Sequence, residues 1–200
     1  MDKVTEISRK NGVATVKTLG GETLKIPSAL YLERKLRVNQ PVDPEGYRRF
    51  MRERGYPHAL EAAMKYLALR ERSEQEVRAR LRRSCFDENV IRRVLDTLGL
   101  HDLVSDARFA GQWVRSRSRK YGKNRIAQEL RMKGVAGEEA RAALDGLPEE
   151  EEYARALSQA QKLQKKYRGE PRKLVQALVR RGYAFGMARR AAEEAAKEDE

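Results

Sequence analysis

Three apolar pairs recur along this chain at a nearly constant interval, and that interval limits what the chain can fold into. Val77/Leu81, Ile126/Leu130 and Leu174/Leu178 are each i,i+4 pairs, the spacing of one helix face. The second pair follows the first by 49 residues and the third follows the second by 48. Five residues past each leucine stands another apolar residue: Phe86, Val135 and Tyr183. Thirteen and fourteen past it come Val94-Leu95, Ala143-Leu144 and Ala191-Ala192. Gly134 and Gly182 occupy matching sites where a helix would end in a left-handed cap. The joint match predicts a triplication, each unit being three helices. Such a unit buries little by itself, so neighbours are expected to share interfaces in an elongated, curved array.

First helices are expected near 59–70, 106–120 and 149–166, and second helices from near Ser73, Gly122 and Pro171. Ser73-Glu74-Gln75-Glu76 reads as a capping box, with Ser73 bonding forward and Glu76 reaching back. The N-terminal residues differ. Val4–Arg9, Val13–Leu19 and Glu22–Ile26 are β-branched runs separated by Asn11-Gly12 and Gly20-Gly21, pairs that suit tight hairpins. They predict a small three-stranded meander closed by Pro27. Ser28 reads as the N-cap of a helix to about Arg37, followed by a turn near Gln40-Pro41 and a helix from Pro44 to Arg54. The predicted fold is thus mainly α. An N-terminal β-meander with connecting helices (1–58) precedes three-helix repeats at 59–104, 105–147 and 148–200.

Charge gives the first functional hint. The 200 residues carry a net charge of +13, unevenly spread: +7 over 106–135 and +9 over 162–190, against −5 over 136–161 and −4 over 191–200. Basic blocks set between acidic ones point to a polyanionic partner, nucleic acid or an acidic protein surface. One cysteine, Cys85, allows no intramolecular disulfide. With no signal-like N-terminus and no apolar run of membrane-spanning length, a cytoplasmic monomer without membrane contact is expected.

No catalytic constellation stands out. There is no phosphate-binding glycine loop, and His58 and His101 lack ligand partners at metal spacing, so neither enzyme activity nor a cofactor is expected. Glu149–Glu152 follow Pro148 at a helix start, where carboxylates favour the positive end of the macrodipole. The informative feature is a basic stripe. With Phe109 and Trp113 facing the core, Arg108, Gln112, Arg115 and Arg119 share the opposite side of one helix, and Lys120 and Lys123 extend it. On the second helices, Arg125, Arg131, Arg172, Lys173 and Arg180 add exposed cations. Such a ridge can bind phosphates or carboxylates by charge-assisted hydrogen bonds.

The same residues carry a resemblance. Tyr66–Leu81, YLALRERSEQEVRARL, and the stretch Ser105–Val135 resemble the RecX family. In the second stretch the matching elements are Asp106/Phe109/Ala110, Trp113/Val114, Gly122/Arg125/Ile126 and Glu129/Leu130/Lys133/Gly134, in the family's order. The third unit is similar mainly through Arg180-Arg181-Gly182-Tyr183. One departure is Ser84-Cys85 where a glycine often stands, so that turn is expected to differ. The resemblance implies a non-enzymatic regulator that docks on the RecA filament on single-stranded DNA and inhibits its ATPase and strand exchange. Contact with single- or double-stranded DNA is the accompanying expectation. The rival reading is a direct nucleic-acid binder, because three-helix units also resemble helix-turn-helix readers.

Overall fold

A computed structural model describes residues 2–197. The chain divides into two compact units after Ser105.

The first unit opens on strands β1 (Asp2–Lys10), β2 (Val13–Thr18) and β3 (Thr23–Pro27), joined as the expected meander. Lys10 pairs with Val13 across a two-residue turn in which Asn11 and Gly12 both take positive φ (53° and 79°). That is the geometry such hairpins require. A shift in register between Val4 and Glu6 breaks the alternation of β1, turning both Val4 and Ile7 toward the core. The turn expected near Gln40-Pro41 holds a fourth strand, β4 (Pro41–Val42), paired with β1, giving the order β3-β2-β1-β4.

Two expectations for the following helices need correction. Helix α1 (Ser28–Glu33) stops short of Arg37, and Pro27, not Ser28, is its N-cap. The Ser28 amide is already bonded to the Gly12 carbonyl at 2.9 Å, so the hairpin turn takes the donor. The helices expected at Pro44–Arg54 and 59–70 are one, α2 (Pro44–Leu67), with Pro57 inside it. Pro57 lacks an amide donor, but tertiary packing outweighs that loss. Tyr47, Ala59 and Ala63 are buried along α2, and Gly55 lies so close to Val90 that a methyl there would sit 3.3 Å from it.

α3 (Glu74–Arg83) and α4 (Glu88–Leu100) complete the first bundle. In the second unit α5 (Asp106–Arg117), α6 (Lys123–Met132) and α7 (Glu138–Asp145) form one bundle. α8 (Glu149–Gln164, continued by a 3-10 turn), α9 (Pro171–Arg180) and α10 (Phe185–Lys197) form the next. All six anchor residues are buried, as are Phe86, Val135 and Tyr183. Ser73 Oγ accepts the Glu76 amide at 3.1 Å, the forward half of the expected box.

The turn after each second helix is built alike. Amides of Phe86, Val135 and Tyr183 donate to the carbonyls of Leu81, Leu130 and Leu178, five residues back, at 3.3, 3.0 and 3.3 Å. The residue before each is left-handed: Cys85 (φ 61°), Gly134 (82°) and Gly182 (92°). The first unit's turn therefore does not differ as its sequence suggested; Cys85 takes the glycine conformation at a steric cost.

Candidate functional site

The basic ridge is built on α5. Phe109, Ala110 and Val114 are buried on one side of this helix, while Gln112, Arg115, Arg119 and Lys120 are exposed on and just beyond the other. Arg108, expected to stand on the ridge, is half-buried at its start. Lys123 is also half-buried, whereas Arg125, Arg131, Arg172, Lys173 and Arg180 are exposed.

Backbone contacts decide which of these cations share a neighbourhood. The Gly122 amide donates to the Arg181 carbonyl at 2.9 Å, and the Asn124 amide donates to the Gly182 carbonyl at 3.1 Å. The start of α6, with Lys123 and Arg125, is thereby joined to the end of α9, with Arg180. Arg172 and Lys173 lie at the other end of α9, about 12 Å along its axis at 1.5 Å per residue. They do not join that cluster, and Lys173 is ion-paired with Glu170.

Two carboxylates shape this face, and neither was identified from the sequence as part of it. Glu129 is buried, and accepts hydrogen bonds from Trp113 Nε1 (3.1 Å) and from Arg117 Nε and Nη2 (2.7 and 2.6 Å). Arg125 Nε adds an ion pair at 3.4 Å. Hydrogen bonds from Arg117, above all, hold the Glu129 carboxyl below its ordinary pKa despite burial. Arg117 lies over the Trp113 and Tyr121 rings at 5.6 and 4.4 Å, Arg125 over Tyr121 at 4.7 Å, and Lys133 over Trp113 at 4.4 Å. Cations and rings thus alternate beside the ridge and hold one another in place. The available signal was the i,i+4 run Trp113, Arg117, Tyr121, together with a single acid following Arg125 by one turn.

Glu152 is the other. Expected only to favour its own helix start, it is buried and accepts the Lys123 amide at 2.8 Å. Gly122 has no side chain to cap α6, so a carboxylate from α8 satisfies an orphan amide there.

Neither histidine joins a cluster of reactive groups. His58 is 2.7 Å from Glu33, and His101 is exposed. Among the described residues no three His, Cys, Asp or Glu side chains could hold a metal ion together, and no helix is long and apolar enough to cross a membrane.

Comparison with known proteins picks out two three-helix segments. The sequence model of the first three-helix domain of RecX matches residues 59–98, and that of the second matches residues 105–144. A regulatory protein RecX of Thermobifida fusca is 36% identical over 142 residues, covering 68% of this chain and 77% of the relative. One from Corynebacterium efficiens is 38% identical over 148 residues, covering 68% and 70%. Two crystal structures share the fold. A regulatory protein RecX superposes with a TM-score of 0.65 at 20% identity, over 94% of this chain and 97% of its own. RecX from Lactobacillus salivarius gives 0.64 at 24% identity, over 70% and 96%.

Proposed function

The chain belongs to the RecX family of regulatory proteins, and from that premise we propose that it is a non-catalytic negative regulator of RecA, which binds the RecA–DNA filament and inhibits its ATPase and strand exchange. The observation that carries this reading is the group of exposed cations that the end of α5 presents: Arg115 on the helix, whose Phe109 and Val114 are buried, and Arg119 and Lys120 in the turn that follows, since α5 ends at Arg117 and not near residue 120. The ladder on Glu129 holds the flank of that face in place, which lowers the entropy lost when it meets an anionic partner. For inhibition, the protein must bind one filament state better than another; equal affinity for both would shift nothing.

The rival reading places a helix in a DNA groove. In a three-helix reader that element would be the last of the bundle. In the second bundle it is α7, of 8 residues, whose exposed positions include Glu138, Glu139 and Asp145. Carboxylates there outnumber the one exposed cation of α7, Arg141, and repel phosphates, which counts against the second bundle as a groove reader.

The test is the triple variant Arg115→Glu/Arg119→Glu/Lys120→Glu, assayed against RecA's DNA-dependent ATPase. Arg108 is left out because it is half-buried. Each charge-assisted contact is worth about 1.5–3 kcal/mol, so loss of two raises the inhibitory concentration well over tenfold while the melting curve holds. Full inhibition by the folded variant removes this face from the interface.

A further inference from the structure

The third bundle carries a surface that the ridge does not explain. A cleft of about 450 Å³ runs between α9 and α10, with Val175 of α9 and Phe185 and Ala192 of α10 among its walls. A second cleft of about 240 Å³ adjoins it along Val179, and Val175 and Phe185 line both. Phe185 is 66% exposed and Val179 40% exposed. Large apolar side chains standing around a concave site mark an interaction surface, unlike apolar residues scattered singly over a protein.

The edges of the groove are cationic. Arg172 lies near the start of α9, Arg180 at its end, and Arg189 on α10. One carboxylate, Glu193, lines the groove, and it is 3.4 Å from Arg189. Arg172 and Arg180 are about 12 Å apart along the helix axis, the length of two helical turns.

We propose that this groove docks an acidic, amphipathic segment of a partner protein, whose apolar side chains pack on either side of Phe185 while its carboxylates meet Arg172 and Arg180. The span suits two turns of a helix presenting apolar residues at i, i+3 or i+4, and i+7. A nucleic-acid strand fits poorly, because phosphates need a continuous basic track, whereas Glu193 interrupts the cations here and Phe185 is the one ring among the lining residues on which a base could stack. A second copy of this chain would set its own arginines against these. The proposal deepens the filament reading and rests on it for the partner: cations that the ridge argument leaves open to DNA or protein are assigned to protein.

The experiment uses the full chain with Phe185→Ala and, separately, Val179→Ala. Both side chains are substantially exposed, so melting curves should coincide with that of the parent. Each is tested for co-sedimentation with RecA assembled on single-stranded DNA, for binding to the same DNA alone, and for self-association. Phe185→Ala is expected to weaken filament binding about tenfold or more, as loss of a central anchor does, and Val179→Ala by less, with DNA affinity unchanged. A parallel fall in affinity for bare DNA would overturn the proposal in favour of nucleic acid. A dimer of the parent chain lost in Phe185→Ala would make the occupant a second copy. Undiminished filament binding by both variants would leave the groove without this role while the filament reading stands. A parent chain that does not sediment with the filament refutes that reading, and this one with it.

Discussion

Gly122 and Gly182 meet backbone to backbone: a methyl group on Gly122 would lie 2.5 Å from the Gly182 carbonyl oxygen. The contact is what allows the second and third bundles to share two main-chain hydrogen bonds, from the Gly122 and Asn124 amides to the Arg181 and Gly182 carbonyls. Glu152 closes the same junction by capping Lys123.

Alanine at either glycine should therefore loosen the second unit. Gly122→Ala adds an atom where there is no space, an overpacking cost of about 1–3 kcal/mol. Gly182→Ala meets Arg125 and must also hold a left-handed φ of 92°, which adds about 1–2 kcal/mol. Gly169→Ala is the control, since its φ is also positive (74°) but no atom lies within 4 Å of the added methyl. Urea titration should rank the losses Gly182→Ala above both of the others. Equal losses at Gly182 and Gly169 would mean that backbone conformation, not close contact, governs the junction.

Cys85 offers the opposite experiment. It holds φ at 61° where the other two bundles have glycine. Replacing it with glycine removes about 1–2 kcal/mol of left-handed strain and returns about 0.4–1 kcal/mol through the freer unfolded chain. Cys85→Gly should thus stabilise the first unit by about 0.5–1 kcal/mol, raising its melting temperature. A destabilised variant would show that the thiol's packing outweighs the strain.

The Glu129 network makes a pH-dependent prediction. Its folded-state pKa lies below the ordinary 4.5, so the carboxylate stabilises the fold above that value. The contribution is lost as pH falls through the lowered folded-state pKa. Glu129→Gln should cost about 1.5–3 kcal/mol near neutrality, toward the low end because Arg117 is partly solvated. The gap between parent and variant should be flat above about pH 5 and shrink on further acidification. A gap that stays constant into strong acid would exclude charge as its source.

Much of this fold was legible because helical repeats write themselves locally. The anchor pairs, the residues five beyond them and the caps at Ser73 and Gly182 all follow from spacing within a single unit. What was missed depends on contacts between distant segments. The 24-residue α2 runs through Pro57 because packing on α4 outweighs a lost hydrogen bond. Two-residue β4 exists only through its pairing with Asp2 and Lys3. On the candidate site, periodicity separated the exposed face of α5 from the buried one, but Arg108 at its first turn is half-buried. Glu152 read as a helix-start acid because its true partner, the Lys123 amide, is 29 residues away in sequence.

Salt dependence separates a phosphate-tracking face from a sequence reader. If the α5 ridge neutralises phosphates, the isolated protein should bind single-stranded DNA weakly, with Kd on the order of 10⁻⁴–10⁻⁶ M at physiological salt and little sequence preference. Log affinity should fall linearly with log salt, each phosphate contact contributing a slope of about −0.7 on a single strand. Arg115→Ala/Arg119→Ala/Lys120→Ala removes three exposed cations, so its slope should be shallower by up to about 2. Arg172→Ala/Lys173→Ala, at the far end of α9 from the α6 junction, should leave the slope near the parent's, because Lys173 is already paired with Glu170 and Arg172 borders the apolar groove. A tight complex with one particular duplex, insensitive to salt, would require direct base contacts, and would favour a helix-turn-helix reader over a protein that meets DNA only within a filament.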